Sequence, residues 1–286
     1  MLTRTIMAGA LALSLAACGT PMRVPLDPLA KSRLGEVKVI DILTQDEVVV
    51  RPPPSTAGGG LIGMIIESKV GESRQNALQA ALAPFYASVD DFDFRTQFDT
   101  SLSTALAQDK SIRIGQVQQT SQRLADAELK KRREVLAAGN ALMVCTTDYT
   151  FSPDFTRLSI LTRVQMTQPG VAEPVFQNSY FYQSASLGKG GNESLGAWAE
   201  NKGARYRSAA SEGAGQIARM IGLDLAAGAG EPAQPFVTVN RLDTFGNLDI
   251  KGPVLVSEGD RIIMRDTHVF NGSLHSMPYN AGGQPK

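Results

Sequence analysis

The chain has 286 residues, 28 basic and 28 acidic side chains, 43% hydrophobic residues and two cysteines. That length allows one large domain, or one domain with an appendage, around an ordinary core. The even charge balance offers no electrostatic footprint for nucleic acid, so that class of partner is excluded.

Arg4 and the uncharged apolar run Thr5 to Ala17 open the chain. The run is well short of the roughly 20 residues that a helix needs to cross a bilayer. It reads as a signal-peptide core, with Arg4 as the positive flank, Ala10 to Leu15 as the hydrophobic segment and Ala16-Ala17 as the small residues before a cleavage site. Leu15-Ala16-Ala17-Cys18 resembles the lipobox of bacterial lipoproteins. The resemblance, confined to this amino-terminal segment, implies a signal peptide over residues 1–17. It also implies a diacylglycerol thioether on Cys18 and an acyl group, such as palmitate, on the new amino terminus. Each buried methylene contributes about 0.8 kcal/mol, so two or three chains together hold a protein lastingly on a membrane. Gly19, where an aspartate would retain such a lipoprotein at the inner membrane, implies the outer membrane, with the soluble domain in the periplasm. With Cys18 consumed by lipid, Cys145 has no disulfide partner. It alternates with Met143, Thr147 and Tyr149 and reads as a small buried hydrophobe, since nothing nearby supplies the base a nucleophilic thiol needs.

Residues 18–35, with Pro21, Pro25 and Pro28, read as the lipidated tether. Glu36 to Leu43 predicts a strand whose two faces are both apolar, Val37 and Val39 on one and Ile40 and Ile42 on the other, which places it centrally in a sheet. Val48 to Val50 continues the β signal until Pro52 to Pro54 and Gly58 to Gly60 stop it. Leu61 to Ala83 has helical spacing, and Pro84 should end or kink it, giving a glycine-rich apolar helical insertion near 52–90. Phe94, Phe98, Leu102 and Leu106 at intervals of four predict a helix to Gln108, capped by Asp91 or Asp93. A short strand at Ser111 to Val117 and a charged helix at Ser121 to Ala138, stopped by Gly139-Asn140, follow. Ala141 to Phe151, Arg157 to Thr167 and Val175 to Ser184 are strand-like and joined by breaks short enough to require an antiparallel meander. A long helix from Asn192 to Leu223 carries the inward stripe Leu195, Trp198, Tyr206, Ala209, Gly213, Ile217 and Met220. Residues 226–286 read as a linker and a small β-rich tail. Its expected strands are Phe236 to Asn240, Val254 to Val256, Ile262 to Arg265 and Thr267 to Phe270, with turns at Glu258-Gly259-Asp260 and Asn271-Gly272.

This order predicts an α/β fold: a mixed sheet with an antiparallel three-strand meander, covered by helices, plus a small C-terminal β-hairpin appendage. With the lipobox, the element order over 36–223 resembles the α/β domain of two groups of outer-membrane lipoproteins, the curli-secretion channel protein and the activators of penicillin-binding proteins. The channel family builds a membrane barrel from amphipathic hairpins, whereas Gly58 to Ala83 here reads as a helix.

Candidate sites are sparse. His268 and His275 are the only histidines and could face each other across the Asn271-Gly272 turn, but even with Asp266 they make a poor zinc site. Ser273, His268 and Asp260 could form a hydrolytic triad, without the strained Gly-x-Ser-x-Gly turn that usually exposes the serine. Asp90, Asp91 and Asp93 lack the ligands and glycine of a calcium loop and fit helix capping instead. Gly188-Lys189-Gly190-Gly191 lacks Walker spacing and reads as a mobile loop. Lys130 to Arg133 reads as a solvated helix face. Gly58 to Ile66 reads as a buried helix start or as an exposed self-association patch. No paired acid and base or framed nucleophile emerges. The expectation is therefore a non-enzymatic binding, assembly or regulatory factor without cofactor. Its partners would be the membrane, through Cys18, and another envelope protein. The alternatives are a homo-oligomeric subunit of an outer-membrane export complex, or a cell-wall or lipid enzyme that depends on His268 or His275.

Overall fold

The structure is a computed structural model that describes residues 23–50, 80–108, 110, 112–227, 235–243 and 246–279. Its elements in chain order are α1 (Pro28–Ser32), β1 (Glu36–Ile42), β2 (Val49–Val50), α2 (80–88 of the described residues), α3 (Phe94–Gln108), β3 (Arg113–Thr120) and α4 (Asp126–Glu134). These are followed by β4 (Ala141–Phe151), β5 (Leu158–Thr167), β6 (Phe176–Gln183), α5 (Gly191–Ala226), β7 (Phe236–Asp243), β8 (Gly246–Glu258), β9 (Arg261–Arg265) and β10 (Leu274–Pro278). The strands form one ten-stranded sheet in the order β3-β1-β4-β5-β6-β10-β9-β8-β7, with β2 pairing β4. β1 runs parallel to β3 and β4, β10 runs parallel to β6, and the meander β4–β5–β6 is antiparallel. This is the mixed α/β sheet that the sequence predicts, and the C-terminal strands form an antiparallel region that continues it.

Strand alternation sorts the side chains by face. Val37 and Val39 of β1, Met143, Cys145, Tyr149 and Phe151 of β4, Ile160 and Val164 of β5 and Tyr180 and Tyr182 of β6 point to one side. They meet Leu82 and Phe85 of α2, Phe94, Phe98, Leu102 and Leu106 of α3, and Trp198, Tyr206, Ile217 and Ile221 of α5 in the main core. Each fully buried side chain of this size contributes about 1.5–3 kcal/mol. The opposite face is covered at its two ends. Ile40, Ile42 and Leu142 lie under Leu129 of α4 and the flanking Leu124 and Leu136. The β7–β8 hairpin folds Val239, Ile250 and Val254 over Phe181, Ile262 and Met277.

Several expectations need correction. α2 does not end at Pro84 but continues to residue 88, although an interior proline removes one backbone bond and crowds the carbonyl four residues back. The charged helix shrinks from 121–138 to Asp126–Glu134. The long helix is broken: Glu200 is extended, and Asn201, Lys202 and Gly203 take left-handed dihedrals (φ 52°, 57° and 68°). The apolar stripe stays in phase across this break, so its periodicity gives no warning. Thr267 to Phe270 is not a strand. Asp266 accepts hydrogen bonds from the backbone N–H groups of His268 and Phe270 and winds residues 266–273 into a loop, and the strand forms later as β10. Of the residues read as tether, 23–35 are folded onto the domain: Val24 bridges to Gln177 of β6, and Asp27 caps α1. Cys18, the glycine-rich segment Gly58 to Ile66 and residues 228–234 of the expected linker lie outside the described residues. Among the described residues no helix is long and apolar enough to cross a membrane.

Candidate functional site

The residues singled out by sequence do not converge. His268 is exposed in the 266–273 loop, while His275 is buried in β10, so the two histidines do not face one another. Ser273 pairs with His275, its Oγ 2.8 Å from Nε2, and not with His268. Asp260 sits in the β8–β9 turn, a full strand away. His275 Nδ1 has no partner among the described residues, so no carboxylate orients the ring. Burial, and then the Arg241 charge, push its pKa well below the usual range and keep it neutral. Asp93 caps α3 by accepting from the Thr96 N–H and hydroxyl, and Asp91 pairs with Arg207. The Gly188 to Gly191 loop is held: the Gly191 N–H donates to the Asp154 carbonyl, and Ser194 Oγ accepts from the Gly190 N–H. In α4, Arg132 is engaged by Glu128 and Gln118, and Arg133 by Glu134. Among the described residues no group of three or more His, Cys, Asp or Glu side chains is placed to hold a metal ion.

Two buried polar clusters were not anticipated. At the C-terminal end of α5, Asp224 accepts from Arg23 (3.0 Å), Arg265 (3.1 Å), Asn178 (2.6 Å) and the Tyr180 hydroxyl (3.0 Å), tying the first described residues to β6 and β9. In β1, Asp41 is fully buried beneath α3, opposite Cys145 of β4, and neither of its oxygens has a hydrogen-bond partner among the described residues. Burial, and then the charge of Asp99 on α3, raise its pKa to about 7. The Gln119 amide nearby offsets this only in part, because it donates to the Arg95 carbonyl at 2.8 Å. Burial, and then Asp41, in turn push the Cys145 thiol up, so it is not a nucleophile at neutral pH.

The concave sites differ in character. The larger, about 960 Å³, is an open groove between α3 and α5 lined mainly by small and polar side chains. A second, about 430 Å³, gathers aromatic rings and carboxylates at the C-terminal end of β4. Four separate segments build it: Asp46 to Val48 after β1, the end of α2 with the turn into α3, Tyr149 of β4 and Tyr206 of α5. The rings brace one another, Phe94 on Tyr149 with centroids 4.3 Å apart, Phe85 edge-on to Tyr206 at 5.0 Å and Phe92 on Tyr206 at 5.6 Å. The left-handed break in α5 lies just before Tyr206, with Gly203 against Val89 of the same wall; a side chain at Gly203 would collide with Val89.

Polar groups at this pocket are unevenly satisfied. Tyr86 donates to the Val48 carbonyl at 2.8 Å. Tyr149 and Tyr206 are 2% and 3% exposed, and their hydroxyls are not among the buried polar atoms that lack a partner. Asp46 pairs with Arg95 at 2.7 Å, but Glu47 and Asp90 have no ion pair among the described residues. Burial first, and Glu47 among the nearby charges, raise the pKa of Tyr86 to about 12 and push Tyr149 and Tyr206 up as well, so the phenols remain protonated. The pocket therefore combines aromatic walls with carboxylates at the rim. Comparison with protein-family models, curated proteins and solved structures finds no match.

Proposed function

We propose that the chain is a lipid-anchored cell-envelope factor that acts by binding, held to the outer membrane through Cys18 with its α/β domain in the periplasm. What supports this reading, beside the lipobox, is the distance along α5 between the point where Arg23 is fastened and the pocket. Only residues 19–22 separate Cys18 from Arg23, which is fastened to Asp224. At about 3.6 Å per residue the chain from Cys18 to Arg23 reaches at most about 18 Å. The Asp224 end therefore lies close to the lipid. From Asp224 back to Tyr206, the unbroken part of α5 rises about 27 Å at about 1.5 Å per residue. The aromatic pocket thus lies a helix length from the tethered end, which leaves it free for envelope partners.

Intact-mass measurement on protein from a native or related host, with palmitate labelling, tests the anchor. The expected mass lacks residues 1–17 and carries acyl groups, and Cys18→Ser should lose the label and leave the membrane fraction. A bare Cys18 or a retained leader overturns the anchor. For the binding role, affinity capture with the anchor intact should return an envelope component that is lost when pocket residues are changed. Turnover of wall or lipid substrates by the purified protein would overturn that role.

A further inference from the structure

We propose that His275 is an acid-sensitive latch: it holds the β7–β8 ribbon against the sheet and lets it go when the imidazole takes up a proton. His275 belongs to β10, where cross-strand pairing sets it beside Phe181 of β6 and Met264 of β9, on the face that the ribbon covers. The residue is 1% exposed. Its Nε2 is joined to Ser273 Oγ, and its Nδ1 has no partner among the described residues. Arg241, carried in by β7, places its guanidinium 3.5 Å from the ring centroid of Phe181 and 4.7 Å from that of Phe270. Both rings also pack on the imidazole, with centroids 5.6 Å and 5.9 Å away, so the imidazole and the guanidinium share the same two aromatic neighbours. One cation is well housed between such rings. A second would be buried beside the first.

Nothing that faces the ring compensates that second charge. Phe181 from β6, Met264 from β9, and Phe270 and Ser273 from the 266–273 loop are uncharged, and Arg241 from β7 repels. Asp266, the carboxylate of that loop, is committed to the N–H groups of His268 and Phe270. Burial, and then Arg241, hold the imidazole well below its ordinary pKa of 6.5. Above that value the ring is neutral whether the ribbon is docked or released. As pH falls below it, only the released ring takes the proton, so acid favours release. The ribbon is also the part that can give way. From Phe236 to Pro253 its strands pair only with each other, and β8 joins β9 only from Val254 onward. Besides the packing of Val239 and Ile250, it is fastened by the Gln183 amide to the Leu242 backbone and by Thr267 to the Lys251 carbonyl. A two-stranded hairpin has little stability of its own, so its docking depends on this face. The inference goes beyond the binding role and does not depend on the lipid anchor.

Hydrogen exchange of the full chain in detergent, followed from about pH 7.5 to about pH 5 and corrected for the intrinsic pH dependence, reads the opening of each segment. The amides of β7 and of β8 up to Gly252 should open about tenfold more for each pH unit below about 6.5. Those of β1 and α3, where Asp41 regains its proton over the same range, should open less. His275→Gln keeps a polar group for Ser273 and has no charge to gain, so its ribbon should lose this pH dependence. A wild-type measurement stands beside the variant: with two histidines in the chain, the imidazole NMR signal of His275 should stay neutral in the docked state, and its protonation should follow the opening of the ribbon. Ribbon exchange that ignores pH in the wild type, the same slope in His275→Gln, or an imidazole that gains its proton while the ribbon stays docked overturns the proposal. Opening of β1 and α3 together with the ribbon overturns it as well, because the release would then be general unfolding.

Discussion

Replacing Asp41 with asparagine keeps the shape of a fully buried side chain and removes its titration, so it isolates the energetic consequence of that carboxyl. In the unfolded chain the group loses its proton near pH 3.8, whereas in the fold it keeps it until about pH 7. Below pH 3.8 both states are protonated and the group has no effect. As pH rises from there to about 7 the folded state holds more protons than the unfolded one, so stability falls, and it levels off above 7. At about 1.4 kcal/mol for each pKa step of one, the gap between 3.8 and about 7 corresponds to a total loss of about 4 kcal/mol. The groups facing Asp41 are Asp99 from α3, Gln119 from β3 and Cys145 from β4. Asp99 is also raised, by burial, and adds to the same trend. Urea unfolding of wild type and Asp41→Asn across pH 4 to 8 measures the effect. The variant loses a fixed amount at every pH for its buried amide, but its stability relative to wild type should rise by about 4 kcal/mol between the two ends of the range. If the two proteins change in parallel with pH, the assignment of a buried, proton-retaining carboxyl is wrong.

Asp224→Ala should cost about 3–5 kcal/mol in chemical denaturation, because Arg265, with a side chain only 6% exposed, would be left as a buried charge without its carboxylate. Glu128→Ala, which breaks an exposed pair with Arg132, should stay within about 0.5 kcal/mol. Gly252→Ala should destabilise by about 1–3 kcal/mol or more, since the added methyl would land on the backbone carbonyl of Arg265 where β8 crosses β9. Gly215→Ala, with nothing within reach of its added methyl, should instead stabilise α5 by about 0.5–1 kcal/mol, and thermal melts compare the two. Cys145 should resist thiol reagents in the folded protein and react once denaturant opens the core; prompt labelling under native conditions would contradict its complete burial.

Regular elements were legible wherever burial follows a simple period. Val37, Val39, Ile40 and Ile42 announced a strand with neighbours on both sides, and the four-residue spacing from Phe94 to Leu106 announced α3 with its bounds. The alternation of β4 and β5 gave the meander because one face of those strands is core and the other is largely polar. β10 was missed because all five of its residues, His275 and Ser276 included, are buried, so no alternation marks it. Val269 and Phe270 looked like strand residues, but a local carboxylate, Asp266, claimed their backbone for a loop. The pocket was unreadable for another reason: its wall comes from four separated segments. Its one local trace, the interleaving of Asp90, Asp91 and Asp93 with Phe92 and Phe94, has an adequate explanation in helix capping and a surface ion pair.

The position of β10 has a consequence for the order of assembly. It is the last described strand in the chain, yet its seat is inside the sheet, between β6 and β9. Until Leu274 to Pro278 arrives, β6 and β9 each expose an open edge that could pair with another molecule. A polypeptide emerging amino end first would leave this sheet incomplete until β10 appears and then close it like an arch on its keystone. Loss of β10 would therefore open the middle of the molecule and leave its rim standing.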